Sequence, residues 1–167
     1  PIVNKEFPKA IVSIDTFRAE IARKSIENGA HIINDISAGE MDVKMFDTIA
    51  QLKVPYIMMH MQGTPQNMQI NPQYNRIHEE VYNYFEKKVK TLQEKGVQDI
   101  IIDPGFGFGK TIRHNYQLLN NLKHLQKLGL PILAGVSRKS MIYKLLELSP
   151  ENALNGTSVI HTLCLQQ

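Results

Sequence analysis

The 167-residue chain has one cysteine, no tryptophan and no apolar run longer than the four residues Tyr56-Ile57-Met58-Met59. Cys164 alone can form neither an internal disulfide nor a cysteine-based zinc site, which favours a reducing compartment, and the cytoplasm is the expected location. A membrane-crossing helix needs about 20 consecutive apolar residues, so no membrane partner is expected. Charge of one sign is also lacking: 19 Lys and Arg stand against 16 Asp and Glu, interleaved along helical stretches. That pattern reads as a solvated surface rather than a nucleic-acid face, and the net charge of +3 suits a small anionic substrate. With 43% hydrophobic and 21% charged residues and no low-complexity segment or linker, collagen, coiled coil and disorder are excluded. A single domain over residues 1–167 is expected. Residue 1 is Pro rather than Met, which suggests a chain that is processed or cut from something longer.

What is present is a recurring unit: a short apolar run ending in a polar residue, then a helical pattern, then Gly or Pro. The runs are Ala10 to Ile14, Ile32 to Ile36, Tyr56 to Met59, Ile100 to Ile102 and Ile132 to Ala134, each suited to a parallel strand buried on both faces. Between them, Ile21, Ala22, Ser25 and Ile26 share a helix face that stops at Gly29. Ile77, Val81, Tyr84, Phe85, Val89 and Leu92 share one that stops at Gly96. Leu118, Leu119, Leu122, Leu125 and Leu128 line a third, stopped by Gly129. Shorter helices are expected around Met45, Ile49 and Leu52 and around Met141, Ile142, Leu145 and Leu146, with a final one from about Glu151 to the end. Such alternation implies right-handed βαβ units and an α/β fold. A repeat of about 30 residues fits a (β/α)8 barrel, and an open flavodoxin-like sheet fits as well.

In either fold, function gathers at the carboxyl ends of the strands. Those ends carry Asp15, Asn34 with Asp35, His60, the loop Asp103-Pro104-Gly105-Phe106-Gly107-Phe108-Gly109-Lys110, and Ser137-Arg138-Lys139-Ser140. The loop is not a Walker phosphate loop, because the required first glycine is Pro104. Nor is it a dinucleotide fingerprint, whose third glycine falls at Lys110. Lys110 is therefore expected in solvent. His60 lacks a second histidine at ligand spacing and reads as structural, while His31, His114, His124 and His161 read as surface. Ser137 and Ser140 lack partners for a nucleophilic triad. Asp15, Asn34, Asp103 and Lys139 offer carboxylates, an amide and a cation, a set suited to a flat heterocycle bearing N–H groups and a carbonyl. For Asp15 or Thr16, capping of the next helix is the competing role.

Ser-Ile-Asp-Thr at 13–16, Ile-Ile-Asn-Asp at 32–35, Met-His-Met-Gln-Gly at 59–63, Asp-Pro-Gly-Phe-Gly-Phe-Gly-Lys at 103–110 and Ser-Arg-Lys-Ser at 137–140 together resemble the dihydropteroate synthase family, in its order and spacing. The resemblance implies a (β/α)8 TIM barrel, here strands 3–7 with their helices. It also implies the condensation of 6-hydroxymethyl-7,8-dihydropterin pyrophosphate with p-aminobenzoate in folate synthesis, a sulfonamide-sensitive reaction in this family. By the same resemblance, Asp15, Asn34 and Asp103 hold the pterin's ring nitrogens and amino group. Lys139 donates to its carbonyl edge. Ile36, Met59 and Gly107 line the pterin slot, and Phe108 and Ser140 the aminobenzoate side. Lys139 and Asp103 are the expected catalytic pair.

The family further implies a homodimer and Mg2+, whose protein ligand lies outside this chain, so no metal ligand is expected within it. The first two strands and the last, with the arginine and histidine that bind pyrophosphate, fall outside the match, and this incomplete barrel is expected to be poorly stable alone. Two alternatives stay open. One is a methyltetrahydrofolate–corrinoid methyltransferase, which resembles this fold but is disfavoured by the lysine at 139. The other is a non-catalytic fragment.

Overall fold

The computed structural model describes residues 2–167, which divide into two compact units: the residues up to 59 with 86–102, and residues 60–85 with 103–167. The first unit opens with a short helix, α1 (Ile2–Glu6), and carries the sheet. Its strands are β1 (Ser13–Asp15), β2 (Ile32–Asp35), β3 (Tyr56–Met59) and β4 (Ile100–Asp103), hydrogen-bonded in the order β1-β2-β3-β4. Ser13 pairs with Ile32 and Ile33 with Tyr56, both in parallel register. Along β4, the Tyr56 N–H donates to Asp99 O (2.9 Å) and the His60 N–H to Asp103 O (3.0 Å), an equal advance on both strands that marks a parallel ladder. All four residues of β3 are buried, as expected of a continuous apolar run.

Between the strands run α2 (Ala19–Glu27) and α3 (Met45–Leu52), followed by α4 (Ile77–Glu94), whose residues 86–94 belong to this unit. Ala22, Ile33, Met45, Ile49, Tyr56, Met58, Leu92 and Ile102 form the core, each at 0% exposure. Complete burial of an aliphatic side chain contributes about 1.5–3 kcal/mol.

The second unit holds the loop after β3, residues 77–85 of α4, the glycine-rich loop after β4, and α5 (Ile112–Asn120). A 3-10 helix (Leu122–Leu128), α6 (Ser140–Tyr143), a 3-10 turn (Pro150–Asn152) and α7 (Leu154–Leu165) complete it. Its core is Phe85, Phe106, Leu118, Leu125, Val136 and Met141. In the first unit, the alternation of parallel strand and helix is the α/β class expected from the sequence.

Four differences from the expected elements have local causes. β1 begins at Ser13 rather than Ala10, because the Val12 N–H is taken by His31 Nδ1 (3.0 Å) and the ladder cannot extend through it. The expected fifth strand is a single bridged residue, Ile132, between Pro131, which has no N–H to give, and Gly135. The third helix tightens from α to 3-10 after Asn120, since leucines at 119, 122, 125 and 128 recur every three residues and match a 3.0-residue turn. Finally, α6 stops at Tyr143 and leaves Leu145, Leu146 and Leu148 exposed; Glu147 adopts φ 53° shortly before Pro150. On α2 the buried residues are Ala19 and Ala22, and Ile21 faces solvent.

Candidate active site

In the first unit, the strand register sets Asp15 beside Asn34, and the Asn34 amide donates to Asp15 Oδ2 at 3.5 Å. Asp15 does not cap α2. The Ala19 N–H at the start of that helix donates to Asp42 Oδ2 (2.8 Å), and the Arg18 N–H to Thr16 Oγ1 (3.1 Å). The exposed Asp15 carboxylate and the half-buried Asn34 amide thus form a polar pair at the strand ends. Ile36 follows β2 half-buried, and Met59 closes β3 buried.

Asp35, next to Asn34, points the other way and is fully buried. Its carboxylate accepts from the Ser37 N–H (2.8 Å), Ser37 Oγ (2.7 Å), the Gly39 N–H (2.8 Å) and the Tyr56 hydroxyl (2.7 Å). Four donors hold the loop after β2 in a shape that includes Ala38 at φ 46°.

The second unit gathers the other group of expected residues around the glycine-rich loop. Asp103 is 7% exposed at the end of β4 and accepts from the Gly105 N–H through Oδ1 (2.8 Å). Its Oδ2 lies over Gly135: a Cβ at that glycine would sit 3.7 Å from Asp103 Oδ2 and 3.7 Å from Lys139 Nζ, so both polar tips converge on backbone kept bare. Lys139 Nζ donates to Phe106 O (2.5 Å) and lies 4.8 Å from the centre of the Phe108 ring. A Cβ on Gly107 would meet Lys139 Cδ at 3.4 Å. Asp103, Gly107, Phe108 and Lys139 are therefore brought together as expected, and Ser140 opens α6 directly after the lysine.

Lys110 departs from expectation. Instead of reaching solvent it is 4% exposed, folded back under its own loop. Its Nζ contacts His60 Nδ1 (2.9 Å) and donates to Phe108 O (2.9 Å), Gly105 O (3.0 Å) and His60 O (3.3 Å). Asn115 on α5 completes the clamp: its Oδ1 accepts from the Gly107 N–H (2.8 Å), and its amide donates to Thr111 O (2.7 Å). Tyr74 donates to Gly109 O (2.9 Å) and Gln69 to Gly107 O (2.8 Å). The signal for Asn115 was in the sequence, a polar residue on the stripe shared by Leu118 and Leu119. His60 is buried, its ring packed edge-on against Tyr84 with centroids 4.8 Å apart. His114, expected at the surface, is half-buried and closes a capping box with Thr111 at the start of α5.

Burial acts on this cluster in one direction. It pushes the Asp103 carboxyl above the usual carboxylate range, against the Gly105 N–H and the cations of Lys139 and Lys110. It lowers Lys139, against the attraction of Asp103. Lys110 is pushed down to about 7 by burial, with Asp103 opposing and Lys139 adding to the shift. Two amines stand against one carboxylate, an arrangement that favours an anionic or electron-rich ligand. Among the described residues, no three His, Cys, Asp or Glu side chains are grouped so as to hold a metal ion, and no helix is long and apolar enough to cross a membrane.

The chain is 39% identical to the dihydropteroate synthase of Escherichia coli strain K12 over 158 residues, which cover 93% of this chain and 56% of that protein. It superposes on the Yersinia pestis dihydropteroate synthase, solved with a sulfonamide drug, with a TM-score of 0.92 and 34% identity, covering 98% of this chain and 60% of the other. The Xanthomonas albilineans enzyme in complex with 7,8-dihydropteroate gives a TM-score of 0.88 and 34% identity, covering 99% and 62%. The fold expected from the sequence, a portion of a (β/α)8 barrel, is the fold of these enzymes, and the chain spans between half and two thirds of their length. The family model described as "Pterin binding enzyme" matches residues 1–167, and with Asp103 and Lys139 converging beside a clamped glycine loop, the chain belongs to the pterin-binding enzymes.

Proposed function

We propose that this chain carries the pterin-recognition part of a dihydropteroate synthase, which joins 6-hydroxymethyl-7,8-dihydropterin pyrophosphate to p-aminobenzoate and releases pyrophosphate. The observation that carries the reading is the convergence of the Asp103 carboxylate and the Lys139 ammonium over Gly135. A carboxylate can accept from the N–H groups of an aminopyrimidinone edge, and an ammonium can donate to its carbonyl. Phe108, half-buried beneath that ammonium, supplies an aromatic wall. Pterin contacts for Asp15, Asn34, Ile36 and Met59 belong to the same proposal by family likeness alone. Ser140 serves the aminobenzoate side.

The reaction breaks the C–O bond between the pterin methylene and pyrophosphate, forms a C–N bond to the arylamine, and releases one amine proton. Departure of pyrophosphate leaves a methylene cation conjugated with the pterin ring. The protein's work is therefore to orient the ring and exclude water, and no protein nucleophile is needed. By family likeness, bound Mg2+ would supply charge neutralisation to the pyrophosphate. A homodimeric state and a cytoplasmic location are part of the same proposal, supported by family likeness.

The test is calorimetry with pterin-6-carboxylate on wild type and Asp103→Asn, together with the rate of dihydropteroate formation in Lys139→Ala. Binding by wild type, weakened about a hundredfold or more in Asp103→Asn, is expected from the loss of two charge-assisted bonds. A large fall in turnover is expected in Lys139→Ala. Equal binding by both proteins, or near-normal turnover without Lys139, refutes the assignment.

A further inference from the structure

We propose that Lys110 is the positioning residue of the Asp103–Lys139 cluster: its buried amine ties the glycine-rich loop to His60 and, through a proton shared with that ring, makes ligand binding at the cluster depend on pH. The inference rests on the pterin reading and assigns the regulation of that site.

The tie is geometric. Gly105 O and Phe108 O bracket the two residues that serve Lys139, because Phe106 supplies the carbonyl that accepts from its ammonium and Phe108 the ring beneath it. One amine therefore fixes both ends of the segment on which Lys139 rests. The far anchor is His60, through Nδ1 and its carbonyl. The loop cannot easily rearrange around a replacement, since a Cβ at Gly109 would already collide with Gln62 O at 2.5 Å.

The proton dependence follows from counting hydrogens. An ammonium has three, enough for Gly105 O, Phe108 O and His60 Nδ1. When the amine passes one to Nδ1 and the His60 ring releases its Nε2 proton, Nδ1–H donates to the amine lone pair, so the tie survives while the charge leaves. The groups facing Lys110 are Asp103 from β4, Lys139 before α6, and His60 after β3. Beyond these stand Tyr84 of α4 against the His60 ring, Tyr74 on Gly109 O, and His114 of α5 against Tyr74. Of these, Lys110 has its titration brought down to about 7 by burial.

The experiment measures pterin-6-carboxylate affinity from pH 5.5 to 9.5 in wild type, Lys110→Met and His60→Phe, each corrected for the probe's own titration. In wild type, affinity should fall about tenfold across the titration of Lys110, as one cation leaves the neighbourhood of an anionic ligand. Lys110→Met should bind more weakly at every pH and lose that step. His60→Phe keeps the ring packing but removes an acceptor from the ammonium, so the step should move to lower pH. Parallel curves for wild type and Lys110→Met, or an unmoved step in His60→Phe, overturn the proposal.

A ligand-free reading separates its failure from that of the pterin assignment. In protein labelled with [13Cε]lysine, the signal missing from Lys110→Met should titrate near neutral pH together with the Gly107 and Phe108 amides. A titration above pH 9 overturns the proposal whatever the probe does, and a wild-type protein that binds no probe at any pH refutes the pterin reading itself.

Discussion

The buried carboxylate of Asp35 offers the sharpest test of how the sequence builds this fold. Oδ1 accepts two donors from Ser37, and Oδ2 accepts one from Gly39 and one from Tyr56. In Asp35→Asn one oxygen becomes an NH2 group that must face a pair of donors. The hydroxyl in that pair, of Ser37 or Tyr56, can rotate and accept, but the backbone N–H beside it cannot. One N–H is thus orphaned, at about 1–3 kcal/mol, and the surviving bonds fall from charged to neutral strength, about 1 kcal/mol each. Relief from burying a charge offsets part of this, leaving a net loss of about 3 kcal/mol. Tyr56→Phe removes a single bond to a charged acceptor and should cost about 2 kcal/mol. The two share a network, so the double variant should lose less than the sum. With no tryptophan in the chain, urea unfolding followed by far-UV circular dichroism is the suitable assay. If Asp35→Asn unfolds within about 0.5 kcal/mol of wild type, the four-donor account is wrong; additivity with Tyr56→Phe would sink it equally.

Two further outcomes are expected. Gly109→Ala and Gly96→Ala both place an alanine at positive φ, at about 1–2 kcal/mol, but only Gly109 has backbone within 3 Å of the added Cβ. Urea midpoints should therefore fall clearly further for Gly109→Ala, and equal midpoints would show that the loop yields. Stability should also depend on pH through Lys110: between about 7 and its unfolded value, the unfolded chain holds a proton that the folded chain has released. That group makes stability rise with pH across the window. Subtracting the Lys110→Met profile from wild type should reveal the rise, and a difference that is flat or falling contradicts the burial of the amine.

Much of the site could be read from the sequence because it lies where secondary structure ends. Asp103 and Lys139 are polar residues that follow apolar runs, and the strand boundaries at Met59 and Asp103 fall where the pattern stops. What could not be read was direction. Asn34 and Asp35 are neighbours in one strand, yet one joins the exposed Asp15 and the other disappears beneath a loop, a consequence of alternating side-chain orientation. Lys110 follows a glycine in a loop, and nothing local distinguishes a lysine in water from one folded under three carbonyls. That distinction depends on His60, fifty positions away. Period is ambiguous after Asn120, where leucines three apart suit a 3-10 turn as readily as an α-helical face.

The position of Lys110 also turns the glycine-rich loop into its own reporter. Acylating reagents attack only unprotonated amines. Surface lysines remain almost wholly protonated at neutral pH, whereas this one holds a substantial neutral fraction but is sealed from solvent. Its labelling rate is therefore set by how often the loop lifts, as amide exchange is set by local opening. A brief pulse of anhydride followed by peptide mass mapping would time that opening, and a ligand seated against Asp103 and Lys139 should lengthen the interval between openings.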